Sequence, residues 1–337
     1  MRGRNSVNTT RMPHLLLSQA DLCVVQIVNH LVLSGAVCLL GIVANIINII
    51  IFYKLGLQDT VNISLFAISL SDLCSLVTLE WVNINLNPFM DRADVPFEPM
   101  DIQYLTGGWP HACFARITIW ITIIVTAERF CCVAFPLNVK QLFNPRTIKI
   151  TVCVVYAAMF VLLMPLYGGL YFGEKFISSR NQTRVGLMYR DKGQHLEHLE
   201  FKLYAIIEIA TFIIIIVLTT LLVVSLKRRS AWRATLTTVG QRDNAVRIRD
   251  RRRLKLVTLV AMMVIICFSP AFVMYFATFF LPGFSLTGKY SIMFNVLWSF
   301  TFLAEAINSS VNIFIFCKMS SKFRRALRKL FSICQRF

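Results

Sequence analysis

Seven long apolar runs decide what this chain can become. They cover residues 26–53, 61–86, 104–135, 147–171, 202–227, 254–281 and 290–317, each long enough to cross a hydrocarbon core, which takes about 20 residues as a helix. Lipid offers no hydrogen-bond partner, so a spanning run must satisfy its own backbone, and successive runs of this length do so as α-helices. The connections are short except for 172–201 and 228–253. The expected architecture is therefore an all-α, seven-helix membrane bundle over 26–317, preceded by a terminal segment 1–25 and followed by a tail 318–337.

Composition removes the main competitors. Only 15% of residues are charged and mean hydropathy is +0.64, whereas a soluble domain carries about a quarter charged residues. A net charge of +18 would suit a nucleic-acid binder. Here the basic residues lie between the apolar runs, where they set topology, so nucleic acid is not an expected partner. Met1 to Asp21 is polar and basic without an apolar core of its own, and the first span is expected to act as signal and anchor together. Most of the ten cysteines fall inside apolar runs and read as small hydrophobes.

Charge between the runs sets an expected orientation. Lys and Arg number eleven in 227–255 and seven in 318–336, with two acids between them. The segment 87–103 holds Asp91, Asp94, Glu98 and Asp101 against Arg92. The basic segments are expected in the cytoplasm and the N-terminus outside, in the plasma membrane, despite Arg2, Arg4 and Arg11. The sequons at Asn8 and Asn181 then fall on the outer side, where glycosylation is allowed, while those at Asn62 and Asn308 read as chance matches. After the last run, Phe323, Leu327, Leu330 and Phe331 share one face of a basic helix suited to lying on the inner leaflet. Cys334 beyond it either takes a palmitoyl group or stays a free thiol.

Polar residues recur inside the runs in a definite order. Gly41-Ile-Val-Ala-Asn45 stands in the first, Ser69-Leu-Ser-Asp72-Leu in the second, and Glu128-Arg129-Phe130 ends the third. Cys267-Phe268-Ser269-Pro270 lies in the sixth and Asn308-Ser309-Ser310-Val311-Asn312 in the seventh. In this order and at these depths the chain resembles the rhodopsin-like family of G-protein-coupled receptors over essentially its whole length, with a texture similar to invertebrate neuropeptide and chemosensory receptors. The resemblance implies an extracellular peptide or small-molecule ligand and a heterotrimeric G protein as partners, besides membrane lipids. It implies a switch in which Arg129 pairs with Glu128 and with Asp250, twenty residues before Pro270, until the sixth span swings outward. Pro270 supplies the kink, since it removes a backbone hydrogen bond.

A carboxylate deep in an apolar helix needs partners. By the same resemblance, Asp72 is expected to meet Asn45, Thr118, Asn308, Ser309 and Asn312, either as a pocket holding water or a sodium ion or as a static hydrogen-bonded cluster. No other cofactor is expected. Retinal is excluded because Ala306 stands where the light-sensing members need a lysine.

The chain also departs from the family. Tyr104, twenty-five residues before Arg129, stands where a cysteine usually ties the third span to the second outer loop. Cys113 is sixteen residues up, which at ~1.5 Å per residue lies within the membrane, and 172–201 has no cysteine. The loop must be held by packing or charge. The seventh-span motif reads Asn312-Ile313-Phe-Ile-Phe316, without its proline and tyrosine, and Phe268 replaces a tryptophan.

For the ligand, the expected contacts are Glu80, Trp109, His111, Arg116, Glu208, Phe268 and Glu305, because ionisable groups at such depth are functional candidates or pair with one another. Arg116 in particular needs an acid partner. Tyr275 and Phe276 read as ordinary aromatic packing. His111 stands where the amine-binding members carry an aspartate, which disfavours a monoamine ligand. The expected ligand is a short neuropeptide or a small chemical cue. A transporter or channel would also keep buried charge, but it predicts repeats and broken helices, for which Gly107-Gly108-Trp109-Pro110 is the one candidate break. A decoy that binds without signalling is the other alternative. No phosphate loop, metal-spaced cluster or nucleophile–base pair suggests an enzyme.

Overall fold

The computed structural model describes residues 19–135, 143–178, 181–234, 241–285 and 288–334. Seven helices in it are long and apolar enough to cross a membrane. They are α1 (Ala20–Leu55), α2 (Thr60–Asn85), α3 (Pro99–Ala134), α4 (Pro145–Gly169), α5 (Gly193–Ala234), α6 (Gln241–Phe280) and α7 (Ser291–Met319), followed by α8 (Ser321–Cys334). Local chemistry sets several ends. The Asp59 carboxylate caps α2 by accepting from Val61 N at 3.2 Å, and Asn144 caps α4 by accepting from Thr147 N at 2.8 Å just ahead of Pro145. α1 stops at Gly56, whose φ of 87° is open to glycine at little cost.

Burial ranks the helices. The apolar window of α2 is 61% buried and that of α4 only 17%, so α2 lies in the middle of the bundle and α4 offers Ile150, Val154, Val161 and Met164 outward. One core joins α1, α2, α3, α4, α7 and α8 through Phe52, Ile68, Ile117, Leu163, Phe316 and Phe323. A second joins α3, α5 and α6 through Ile119, Phe212, Ile215, Val264 and Phe268. Gly41 lets α1 meet α7 closely: a methyl group there would sit 2.0 Å from the Ser310 hydroxyl. We call the end with Arg129 and α8 the basic end, and the opposite one the hairpin end.

The hairpin end differs from the sequence expectation in three places. α1 begins at Ala20 rather than 26, α3 at Pro99 rather than 104, and α5 at Gly193 rather than 202. Within the connection expected to be irregular, β1 (Leu170–Ile177) and β2 (Gln182–Tyr189) form an antiparallel hairpin, with Leu170 opposite Tyr189 and Ile177 opposite Gln182. Asn181 takes φ 52° at its turn, a backbone state that asparagine tolerates. Its side chain is exposed.

The glycine-rich stretch of α3 does not break the helix. Tyr104–Gly108 forms a π-helical turn that runs directly into Trp109–Ala134. Gly107 sits so close to α2 that a Cβ would lie 2.8 Å from Val82. α1 carries a longer π-helical segment, Gln26–Ser34. Such segments shift side chains around the axis and concentrate at functional sites.

Candidate functional site

Three polar groups occupy successive depths of the bundle. At the basic end, Arg129 forms an ion pair with Glu128, its neighbour in sequence. The hydroxyl of Thr60, the first residue of α2, donates to Glu128 Oε1 at 2.5 Å and accepts from Arg129 Nη2 at 3.3 Å. The arginine is thereby tied to α2. The side chain of Asp250 lies outside the described residues, as do Asn8 and the Cys334 side chain.

At mid-depth, Asp72 is fully buried and accepts three hydrogen bonds, from Thr118 at 2.9 Å, Ser309 at 3.1 Å and Asn312 Nδ2 at 2.8 Å. They join α2 to α3 and α7. Ser71 extends the cluster by bonding Thr118 at 2.7 Å. Two of the five expected partners do not reach Asp72. Asn45 instead donates to the backbone carbonyls of Gly41 and Ser309 at 2.9 and 2.7 Å, bracing α1 against α7. The Asn308 amide nitrogen has no hydrogen-bond partner among the described residues. Three donors, from Thr118, Ser309 and Asn312, already reach Asp72, so the cluster holds together by hydrogen bonds without needing an ion. The cluster is complete as a hydrogen-bonded joint.

Nearer the hairpin end, Arg116 Nε lies 2.8 Å from Glu208 Oε2, and both side chains are almost wholly buried. The guanidinium also sits 5.4 Å over the ring of Tyr275. This is a correction to the reading of Tyr275 as plain packing, because its ring face is a partner for the buried cation. Phe276, one position on, turns outward, stacks on Phe272 and lies tilted against Phe280. Beside this pair His111 Nε2 meets Glu305 Oε2 at 2.7 Å, and His111 Nδ1 meets the Ser75 hydroxyl at 2.9 Å. Two carboxylates, a guanidinium and an imidazole thus link α2, α3, α5, α6 and α7, and the imidazolium form would bring the set to neutrality.

The other expected ligand contacts are placed elsewhere. Trp109 is two residues from His111, so a helix turns it to the opposite side of α3. It packs edge-on against Tyr104 and Tyr204, with ring centroids 6.1 and 5.2 Å away. Phe268 is buried in the α3–α5–α6 core. Glu80 lies apart, on the α1 side of α2, within 3.5 Å of Asn83 Nδ2. Pro270 removes the donor that would reach Ile266, and the hydroxyl of Ser269 takes over that carbonyl at 2.8 Å. Phe316 packs edge-on against Phe52 at 5.2 Å and against Phe323 of α8 at 5.6 Å.

Polar contacts do the work of the missing disulfide; the described cysteines form no disulfide. The Tyr104 hydroxyl donates to Glu197 Oε1 at 2.5 Å and that of Tyr189 donates to Oε2 at 2.8 Å. Burial, then the Glu197 carboxylate, pushes the Tyr189 phenol up to about 12, so it remains a donor at neutral pH. Asp101 pairs with Lys175 at 2.8 Å and accepts from Leu187 N at 3.0 Å, while Val185 bonds the backbone of Pro96 and Glu98. Sequence reading placed Tyr104 at the right spot but missed Glu197, Thr60, Ser75, His30 and Asn83. A histidine and an asparagine inside apolar runs were the available signal for the last two.

Seven spanning helices with an arginine clamp at one end and a buried ionic cluster toward the other define a heptahelical receptor. Over residues 32–334 the sequence matches the family described as Serpentine type 7TM GPCR chemoreceptor Srw. The chain belongs to that rhodopsin-like family: it is a multi-pass membrane protein of the chemoreceptor class, not an enzyme. No curated protein matches it.

Proposed function

We propose that this chemoreceptor sits in the plasma membrane with its hairpin end outside, binds a small water-borne chemical cue there, and activates a heterotrimeric G protein at its basic end. The observation that carries the reading is the buried ionic cluster, because Arg116, Glu208, Tyr275, His111 and Glu305 bring four helices, α3, α5, α6 and α7, to one charge-sensitive point. A ligand that alters one of these contacts shifts α5, α6 and α7 relative to α3. Packed interfaces answer such shifts by moving between discrete arrangements. The signal then passes the Asp72 joint and reaches Arg129, whose hold on Glu128 and Thr60 must open as α6 swings out from Pro270. A short peptide is the second ligand choice, favoured by the acidic segment 87–103.

The experiment is a response assay in cells carrying promiscuous G-protein reporters, with panels of small cues and peptides. A ligand response that Arg129→Ala abolishes at unchanged surface expression is expected. A response that survives Arg129→Ala would reject the arginine switch. Ligand binding without any reporter signal would favour a decoy, and ligand-gated current or uptake would favour a channel or transporter.

A further inference from the structure

A cavity of about 300 Å³ opens between α1, α2 and the segment that follows α2, lined by His30, Glu80, Asn83, Ile84, Phe89 and Met90 among others. The π-helical segment of α1 supplies His30 to one wall, and Asn29, His30 and Ser34 of that segment are all buried. His30 Nδ1 meets Asn83 Oδ1 at 2.9 Å, and Asn83 Nδ2 donates to Ser34 at 2.9 Å. The amide and the imidazole are therefore fixed. Glu80 is only half satisfied, with one long contact to Asn83 at 3.5 Å and no ion pair among the described residues. A carboxylate held at a cavity wall with no cation partner among the described residues, beside Ile84, Phe89 and Met90, offers a charge and an apolar surface together.

We propose that this cavity binds a small organic cation, an ammonium or guanidinium group on an apolar body, with Glu80 as its counter-ion. The volume lies at the small end of the range for ligand pockets, about 300 to 1,000 Å³. A single acid with apolar walls matches an organic cation better than a metal ion, which needs several oxygen ligands. The proposal rests on the reading above that the hairpin end faces outside. It locates recognition away from the Arg116 cluster: Glu80 is five residues beyond Ser75, which a helix turns to a different face of α2.

One side chain joins the two places. The Phe302 ring lies 6.4 Å from the His30 ring and 5.5 Å, edge-on, from the His111 ring. A cation drawn to Glu80 presses on the His30–Asn83 wall, and Phe302 carries that movement to the His111–Glu305 pair. Phe302 is thus a positioning residue between cavity and cluster.

The test is binding to the purified full chain in lipid nanodiscs, using 2-phenylethylammonium, benzylammonium and benzylguanidinium as probes and 2-phenylethanol as the uncharged control. Saturable binding of at least one cation is expected, with 2-phenylethanol much weaker. Glu80→Gln should weaken the cation about tenfold or more, since a charge-assisted contact is lost. Ile84→Trp, which fills the cavity from its apolar wall, keeps the question open to test should Glu80→Gln fold poorly, and should abolish binding. Equal binding of the alcohol, unchanged affinity in both variants, or no cation bound at millimolar concentration would each overturn the proposal. Phe302→Ala should leave affinity within about threefold while removing the reporter response in cells, which a purely structural role in the cavity would not do. Binding that follows these rules with no reporter response even in the wild type would sink the receptor reading alone and leave the cation site standing.

Discussion

Asp72 and the Arg116–Glu208 pair are both fully buried ionisable sites, yet they are built in opposite ways. Asp72 takes three aligned donors from two other helices. Arg116 and Glu208 lie within 2.8 Å of each other, but Arg116 Nε and Nη1 and both Glu208 oxygens lack a properly aligned hydrogen bond among the described residues. The first site is closed by hydrogen bonding; the second is held by charge and by the Tyr275 ring. Buried ions need both attraction and satisfied hydrogen bonds to offset desolvation. The difference is the basis of the proposal that the two sites do different work, Asp72 as a joint and the Arg116 pair as the contact a ligand rearranges.

The largest effect should come from splitting the incomplete pair. Glu208→Ala leaves a guanidinium stranded in the bundle and should cost roughly 3–5 kcal/mol, read as a fall in the thermal unfolding midpoint of the purified chain. Replacing both, as Arg116→Met with Glu208→Leu, should restore most of that stability while erasing the ligand response. A double variant as unstable as Glu208→Ala would mean that the pair is a structural staple, and the contrast with Asp72 would collapse.

A smaller effect isolates the cost of one unmatched polar atom. Phe316 stands where the family carries tyrosine, but its ring is wedged between Phe52 and Phe323 with nothing polar in that contact. Phe316→Tyr restores the family residue, yet it should destabilise the chain by about 1–3 kcal/mol because its hydroxyl meets an apolar wall. Stability equal to wild type would show that a partner or water reaches this corner. The same contact explains how α8 is attached: among its described side chains Phe323 is the one fully buried, while its basic residues face outward.

At the hairpin end, Tyr104→Phe removes one charge-assisted hydrogen bond of the clasp and should cost about 1–2 kcal/mol. Faster amide exchange in 170–189 than in α2 or α3 would be the local sign. Unchanged exchange there would mean that the Asp101–Lys175 pair and the Val185 backbone contacts hold the hairpin without Tyr104.

The bundle was legible in the sequence because a span announces itself by length and hydropathy alone. The hairpin was not: Leu170-Tyr-Phe-Gly-Glu-Lys-Phe-Ile alternates too weakly to separate a strand from a loop, and its anchor Asp101 lies 74 residues from Lys175 in the chain. Within the site, sequence could require an acid for Arg116 but could not choose among Glu80, Glu208 and Glu305. That choice depends on how each helix is rotated about its axis. The same limit put Trp109 beside His111 on the page, whereas α3 turns them to opposite sides, and it gave Asn45 to Asp72 when its amide reaches a backbone carbonyl instead.

The smallest effect is the sharpest test of what Asp72 is. In Asp72→Asn the side-chain oxygen can still accept from Thr118 and Ser309, as Oδ1 does now. The new amide nitrogen faces Asn312, whose own amide need only turn over to present oxygen, a rotation that preserves the bond with donor and acceptor exchanged. All three links between α2, α3 and α7 survive, so stability should change by less than about 1 kcal/mol. The ligand dose–response should then show the same sodium dependence in the variant as in the wild type. A joint made only of hydrogen bonds tolerates this exchange. A cation site does not, because removing the negative charge removes the reason for the ion to enter. Sodium that shifts the wild-type dose–response but leaves the Asn variant indifferent would reject the joint and make the carboxylate an ion site after all.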